Sequence, residues 1–387
     1  MSNRVAAKVS TKEGMHVRVL QENILASVTE LTRIVGRQQY LPITNHILLE
    51  AVDGRLRLRA TDLETALTDY IGAQFDKEDE GAIAVPARAL RDTIRSFPKE
   101  ALDIVVTGRT VTISSGSRKA VLIGMDADDF PPIPHVEGEK VGIDPTTLRD
   151  GINQTVYAAA TDDSRPTLTG LHFLVEGDGV TGTLALAAAD GFRLAVHRSD
   201  VQTNAERIER IIPARAMGEL ARLLKQEEYP IELTISETQV HVALHRRELV
   251  AQLIRGTFPN YTQLVPQSSK SRVTVIRTEL LEQVRAAKVY VRDGSGIVRL
   301  QANAGSLHVT ARAEEQGDYA ADIAAALEGE PCKIAVNAPY LESVLAALPD
   351  DAVVLRINSP SEPIRIDPVG RDDFAYVVMP MFVDWKD

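Results

Sequence analysis

Arg88, Arg91, Arg95, Arg215, Arg222, Lys225, Arg285 and Lys288 all fall on stretches whose apolar spacing predicts short helices. Cations so placed can meet phosphate oxygens, a chemistry that grips a polyanion without reading its sequence. Other chemistries are hard to assemble from this chain. His241 and His245 are four apart, a metal spacing on a helix, but VHVALH alternates as a strand, where that separation spans ~13 Å. Asp76-Lys77-Glu78-Asp79-Glu80-Gly81 opens like a calcium loop, yet its twelfth position is Ala87, where a bidentate Glu is needed. It reads as a solvated turn. The patterns GxxxxGK[ST], HExxH, GxSxG and CxxC do not occur. The single cysteine, Cys332, reads as a small buried hydrophobe and suits a reducing cytoplasm. With no nucleophile–base or metal constellation, a hydrolase or transferase is disfavoured and no cofactor is implied.

The helices that carry the cations come in a repeating pattern. Apolar residues at i, i+4, i+7 and i+11 mark helices from Ile24 (Val28, Leu31, Val35), Leu148 (Ile152, Thr155, Ala159) and Leu280 (Val284, Ala287, Val291). A second set follows short apolar strands at Val85-Pro86-Ala87-Arg88-Ala89-Leu90, Ile212-Pro213-Ala214-Arg215-Ala216-Met217 and Val336-Asn337-Ala338-Pro339-Tyr340-Leu341. Leu90, Met217 and Leu341 lie 127 and 124 residues apart. The 387 residues therefore read as three copies of one domain-sized unit. Between the helices the chain reads as strand. The first strand runs from Val17 to Leu20, and Leu56-Arg57-Leu58-Arg59 alternates as a half-buried strand. Turn residues at Thr107-Gly108-Arg109, Glu176-Gly177-Asp178-Gly179 and Ser236-Glu237-Thr238 predict hairpins, as does VVLRINSPSEPIRID near the end. Strands in runs with two helices per copy predict an α+β fold. The linker stretches 129–134 and 257–269 separate the copies, giving domains at 15–137, 138–266 and 267–387 after an extension over 1–14 that is expected to be disordered.

With 44% hydrophobic and 25% charged residues, this is the composition of a soluble globular protein. No apolar run approaches the ~18 residues of a membrane span, so no membrane partner is expected. The net charge of −11 argues against nucleic acid only if it is evenly spread. The six helical segments sum to +4, leaving −15 on the rest. An acidic body with basic helices can hold a polyanion on one surface and repel it elsewhere.

Four motifs on this three-copy background resemble the beta sliding clamp family, the beta subunits of bacterial DNA polymerase III. They are Ala60-Thr61-Asp62-Leu63-Glu64, Ala188-Ala189-Asp190-Gly191-Phe192-Arg193-Leu194-Ala195, Phe258-Pro259-Asn260-Tyr261 with Pro266, and Tyr376-Val377-Val378-Met379-Pro380-Met381. The resemblance covers the chain from about Val17 to Val383. It implies a closed ring built as a head-to-tail homodimer, encircling double-stranded DNA without sequence preference and tethering a clamp loader, a replicative polymerase and repair factors through short peptides. Arg37, in Gly36-Arg37-Gln38-Gln39-Tyr40-Leu41-Pro42, matches a basic position of the family and joins the eight helix cations as a DNA contact.

The resemblance also implies a peptide groove walled by Leu168, Gly191, Phe192, Arg193, Leu194, Pro259, Gln263, Leu264, Pro360, Val377, Val378, Met379, Pro380 and Met381. Methionine is flexible and polarizable, which suits a site that receives several peptides. The dimer contact it implies sets Lys119-Ala120-Val121-Leu122 against the region of Lys288-Val289. The chain departs from the family pattern at Ala189, Phe192, Gln263 and Phe382-Val383, changes that make the groove more apolar and less cationic. The residues after Val383 are expected to cover or extend the groove. A paralogue that no longer loads onto DNA is the alternative of a different functional class.

Overall fold

The computed structural model describes residues 14–36, 41–291, 296–313 and 317–385. The chain repeats one order of elements three times. The first repeat is β1 (Gly14–Leu20), α1 (Gln21–Ile34), β2 (His46–Val52), β3 (Arg55–Thr61), β4 (Thr65–Gly72), β5 (Gly81–Pro86), α2 (Ala87–Ser96), β6 (Ala101–Thr107), β7 (Thr110–Ser115) and β8 (Arg118–Ile123). The second is β9 (Glu139–Ile143), α3 (Pro145–Thr155), β10 (Gly170–Gly177), β11 (Thr181–Ala189), β12 (Arg193–Thr203), β13 (Arg207–Pro213), α4 (Ala214–Leu223), β14 (Ile231–Ile235), β15 (Gln239–Ala243) and β16 (Arg247–Gln252). The third is β17 (Ser271–Ile276), α5 (Arg277–Tyr290), β18 (Ile297–Asn303), β19 (Ser306–Ala313), β20 (Gly317–Gly329), β21 (Cys332–Asn337), α6 (Ala338–Ala347), β22 (Ala352–Ile357), β23 (Ile364–Pro368) and β24 (Phe374–Val378).

The helices form where the apolar spacing places them. In α1 the side chains of Ile24, Val28, Leu31 and Ile34 are buried, each worth about 2 kcal/mol out of water. Ile34 takes the place expected of Val35, which caps the helix. Leu148 and Ile152 in α3, and Leu280, Val284 and Ala287 in α5, are buried in the same way. Two starts are locked by side chains: Asp144 accepts from the Thr147 amide at 2.8 Å and Asn337 from the Tyr340 amide at 3.1 Å. Within each repeat the two helices pack on each other, α1 on α2, α3 on α4 and α5 on α6.

The hairpin turns fall where the sequence puts them, and His245 lies in the β15–β16 turn, beyond the strand that holds His241. The first strand begins at Gly14, earlier than Val17. Residues 1–13, most of the expected extension, lie outside the described residues.

The chain divides into two compact units, one of residues 1–141 and 227–252, the other of residues 142–226 and 253–387. The first unit contains the sheet β1-β6-β7-β8 and a second sheet ordered β5-β2-β3-β4-β16-β15-β14. In the second sheet β4 of repeat one pairs antiparallel with β16 of repeat two, Asp69 opposite Arg247. The other unit repeats this device. Its β12, from repeat two, pairs antiparallel with β24 of repeat three, His197 opposite Phe374. The third strand after the first helix of one repeat thus meets the last strand of the next, twice.

Candidate peptide groove and phosphate-facing helices

The residues expected to wall a groove sit in the unit that holds β10–β13 and repeat three. Leu168, Leu194 and Val377 pack in one buried cluster with Ala187, Val196, Ile211, Phe258 and Tyr261, and Ala189 and Val265 lie against it. Pairing of Leu194 with Val377 across β12–β24 brings two of these together. Beside this floor, Phe192, Leu264 and Met379 are 59%, 56% and 45% exposed. Gly191, Pro259 and Gln263 are exposed as well. Apolar groups left in water around a buried floor are what a partner peptide would cover. The Met379 amide donates to the Phe192 carbonyl at 2.8 Å, joining the Asp190 loop to the C-terminal segment.

Three expected groove residues are placed differently. Val378 and Pro380 are buried, and the Val378 side chain is wholly inaccessible. Pro360 lines a cavity with Ser271, Asn303 and Cys332 that includes no other groove residue. Met381 is half-buried.

The Asp190 loop explains the sequence motif. Asp190 Oδ1 accepts from the amides of Phe192 and Arg193 at 2.9 and 3.0 Å, closing a tight turn. Gly191 sits at φ +93°, and a Cβ there would meet the Arg165 guanidinium at 2.6 Å. Asp62 builds the same turn in repeat one, accepting from Glu64 and Thr65. There Leu63 holds a positive φ of 78°, a strain of about 1 kcal/mol.

Arg193 is more than a groove wall. Its Nε donates to Asp190 Oδ2 at 2.8 Å, its Nη1 to Ser343 Oγ at 3.0 Å, and its guanidinium lies 4.4 Å over the Tyr340 ring. The Tyr157 ring lies 6.0 Å from the same guanidinium, so Tyr340, Ser343 and Tyr157 surround this candidate groove residue, and sequence reasoning missed them. The one available signal is that Tyr340 and Ser343 lie on the first turns of the repeated helix α6.

His172 lies beneath the floor. Its ring stacks on Phe258 at 5.0 Å, its Nδ1 faces Tyr261 Oη at 3.3 Å and its Nε2 faces Glu209 at 3.0 Å. Burial pushes its pKa down, partly offset by Glu209 and reinforced by Arg207. His197 is likewise pushed down by burial, with Asp373 and Asp150 opposing and Arg371 assisting. Both histidines are thus favoured neutral in the fold. Their contribution to stability is complete above an unfolded value near 6.5 and is lost as pH falls through the lower folded values. Thermal denaturation should show the midpoint falling by on the order of a few degrees between pH 7 and pH 5. The His172→Gln/His197→Gln double variant should show a flatter profile.

The helix cations stand on α2, α4, the turn after α4, and α5. Arg88, Arg95, Arg215 and Lys225 are exposed. Arg91 is paired with Asp92 at 2.9 Å and Arg222 with Glu219 at 3.1 Å. Arg285 and Lys288 share one carboxylate, Glu342 of α6, at 3.1 and 2.7 Å. The Lys288 ammonium, with burial opposing and Arg285 adding to it, holds that carboxyl below its usual range. Surface pairs of this kind are worth ~0–1 kcal/mol, so phosphate can displace them cheaply. Arg37 lies outside the described residues.

Among the described residues no group of three or more His, Cys, Asp or Glu side chains could hold a metal, and no helix is long and apolar enough to cross a membrane.

Sequence families described as the N-terminal, central and C-terminal domains of the DNA polymerase III beta subunit match residues 15–134, 142–260 and 262–382 in turn. The chain belongs to the DNA polymerase III beta-subunit family. It is 29% identical to the beta sliding clamp of Synechocystis sp. over 385 residues, spanning 93% of this chain and 97% of that protein. The beta sliding clamp of Pseudomonas aeruginosa is also 29% identical, over 95% of this chain and all of its own. A crystal structure of a Pseudomonas aeruginosa sliding clamp bound to griselimycin superposes with a TM-score of 0.88, covering 96% of this chain and 100% of that one. The three-domain clamp fold is therefore that of this chain. The family is a non-catalytic processivity factor in DNA replication, which sets aside the hydrolase and transferase alternative.

Proposed function

We propose that two copies of this chain close head-to-tail into a ring around duplex DNA. Clamp loader, replicative polymerase and repair factors are then tethered through the groove, and the ring works in the cytoplasm. The domains of this reading are 15–137, 138–266 and 267–387. One observation carries the ring. In β4–β16 and β12–β24 the same strand of one repeat meets the last strand of the next. By that rule β20 of repeat three should meet a last strand that this chain has already used, except for β8 of repeat one. β8 pairs only with β7 among the described strands, and its Val121 and Ile123 are 53% and 65% exposed. β20 pairs through residues 317–324 with β19 and through residues 325–329 with β17, leaving the other side of its first half open. Two open edges that fit the rule are completed by a second copy, and pairing removes the aggregation hazard of each edge.

Val289, 67% exposed on α5, supports the implied contact, since Tyr290 packs on Tyr319 of β20 at 5.7 Å. The helix cations would meet phosphate from inside the ring. Such binding is weak, salt-sensitive and permissive of sliding, while retention comes from enclosure.

The test is loading onto nicked circular DNA followed by linearisation. Protein should remain on the closed circle and run off the cut ends; equal retention on both forms rejects enclosure. In the same assay a paralogue that cannot load would fail to associate with the circle at all.

A further inference from the structure

We propose that Trp385 is a latch. Docked on Arg299 and Lys333, it holds the segment that presents Met379 and Met381 in place as one wall of the peptide groove, so it acts as a positioning residue for partner binding. This rests on the groove reading above and adds a control element to it.

Among the described residues the last strand ends at Val378, and an irregular segment without ties would fluctuate. Here it is tied at successive points. The Met379 amide donates to the Phe192 carbonyl at 2.8 Å, and the Met381 amide to the Ala335 carbonyl of β21 at 2.7 Å. Farther on, Lys333 Nζ lies 4.9 Å from the centre of the Trp385 ring and the Arg299 guanidinium 6.0 Å from it. Arg299 Nη2 also donates to the Asp384 carbonyl at 3.4 Å.

The sheet explains why two cations converge on one ring. In the β18–β21 register Arg299 is opposite Ala335, and Gln301 is opposite Lys333. The intervening Val298, Leu300 and Ile334 are buried. Arg299 and Lys333 therefore share the face turned away from the core, one step apart on neighbouring strands. A cation over an indole is attracted by the ring's electron-rich face, most strongly where water is displaced.

Between the tie at Met381 and the latch lies Phe382, 85% exposed. With both flanks fixed, the wall keeps one shape and a peptide meets a formed site. Without the latch, each binding event would have to order the segment, and that ordering subtracts from affinity.

Trp385 is the only tryptophan in the chain, so its emission reports the latch directly. Griselimycin, found bound to the Pseudomonas aeruginosa clamp, serves as the probe, with affinity read by calorimetry. Trp385→Ala should weaken binding about tenfold at an unchanged melting temperature. Trp385→Phe, which keeps an aromatic face, should restore most of the affinity. Arg299→Glu/Lys333→Glu changes only side chains on the outer face of the sheet. It should match the loss seen with alanine and move Trp385 emission to that of a water-exposed indole.

Equal affinity for wild type and Trp385→Ala overturns the latch, and so does a Phe variant as weak as the Ala variant. If the wild-type protein fails to bind griselimycin, the groove reading falls instead.

Discussion

Val121→Glu combined with Val289→Glu is expected to convert the protein from a dimer to a monomer at micromolar concentration and to abolish retention on circular DNA. Both side chains already stand in water, Val121 at 53% and Val289 at 67% exposure. The isolated chain therefore loses no core packing, and its melting temperature should hold once dimer dissociation is accounted for. Across the proposed contact, each substitution removes apolar area and places carboxylates near one another in a desolvated interface, a penalty of about 2–5 kcal/mol. A head-to-tail ring contains that contact twice, so both interfaces weaken together. Since ~1.4 kcal/mol is a factor of ten, the dimer dissociation constant should rise by about a thousandfold or more. Analytical ultracentrifugation measures the first effect and the linearisation assay the second. A double variant that sediments as a dimer would remove β8 and α5 from the contact.

Much of this was legible in the sequence because it is local. The second helices of the repeats begin at Ala87, Ala214 and Ala338, which keeps the 127- and 124-residue offsets of Leu90, Met217 and Leu341. A strand–helix junction is decided by adjacent residues, with Pro86 and Pro213 at the first two and Asn337 followed by Pro339 at the third, so it survives three divergent copies. The Asp62 and Asp190 motifs, noted in the sequence for their resemblance alone, prove to be turns of the same local kind, in which a carboxylate caps amides two and three residues on.

What stayed hidden depends on contacts between distant segments. Counting charge along α5 shows Arg285 and Lys288 as available cations, but nothing in that window reveals that Glu342, more than 50 residues away, faces both. Arg193 likewise reads as a groove residue by motif, while Ser343 and Tyr340, about 150 residues on, account for its half-buried position. The latch is of this kind as well. Trp385 follows the last strand with no periodicity to place it, and only the register of β18 against β21 brings Arg299 and Lys333 together beneath it.

Asp69→Asn is expected to lower stability by about 3–5 kcal/mol, which for a chain of this size is a fall of ~10 °C in melting temperature. Asp69 is 0% exposed and Arg247 2%. They face each other across β4–β16, with Arg247 Nε 3.1 Å from Asp69 Oδ2, and Arg246 approaches the other carboxylate oxygen at 3.3 Å. Removing the carboxylate charge takes the facing negative charge from a guanidinium in a site almost closed to water, and arginine cannot escape by losing its proton.

The cost belongs to breaking the pair rather than to lacking it. At the equivalent position of the other junction His197 is opposite Phe374, so those strands pair without an ion pair between the two facing residues. Asp69→Leu/Arg247→Met should therefore recover most of the stability lost by Asp69→Asn, and thermal denaturation of the single and double variants measures the coupling. If the double variant is as unstable as the single, the ion pair itself holds β4 to β16. If it recovers, strand pairing and apolar packing carry the junction, and the buried pair serves to fix which residues stand opposite one another.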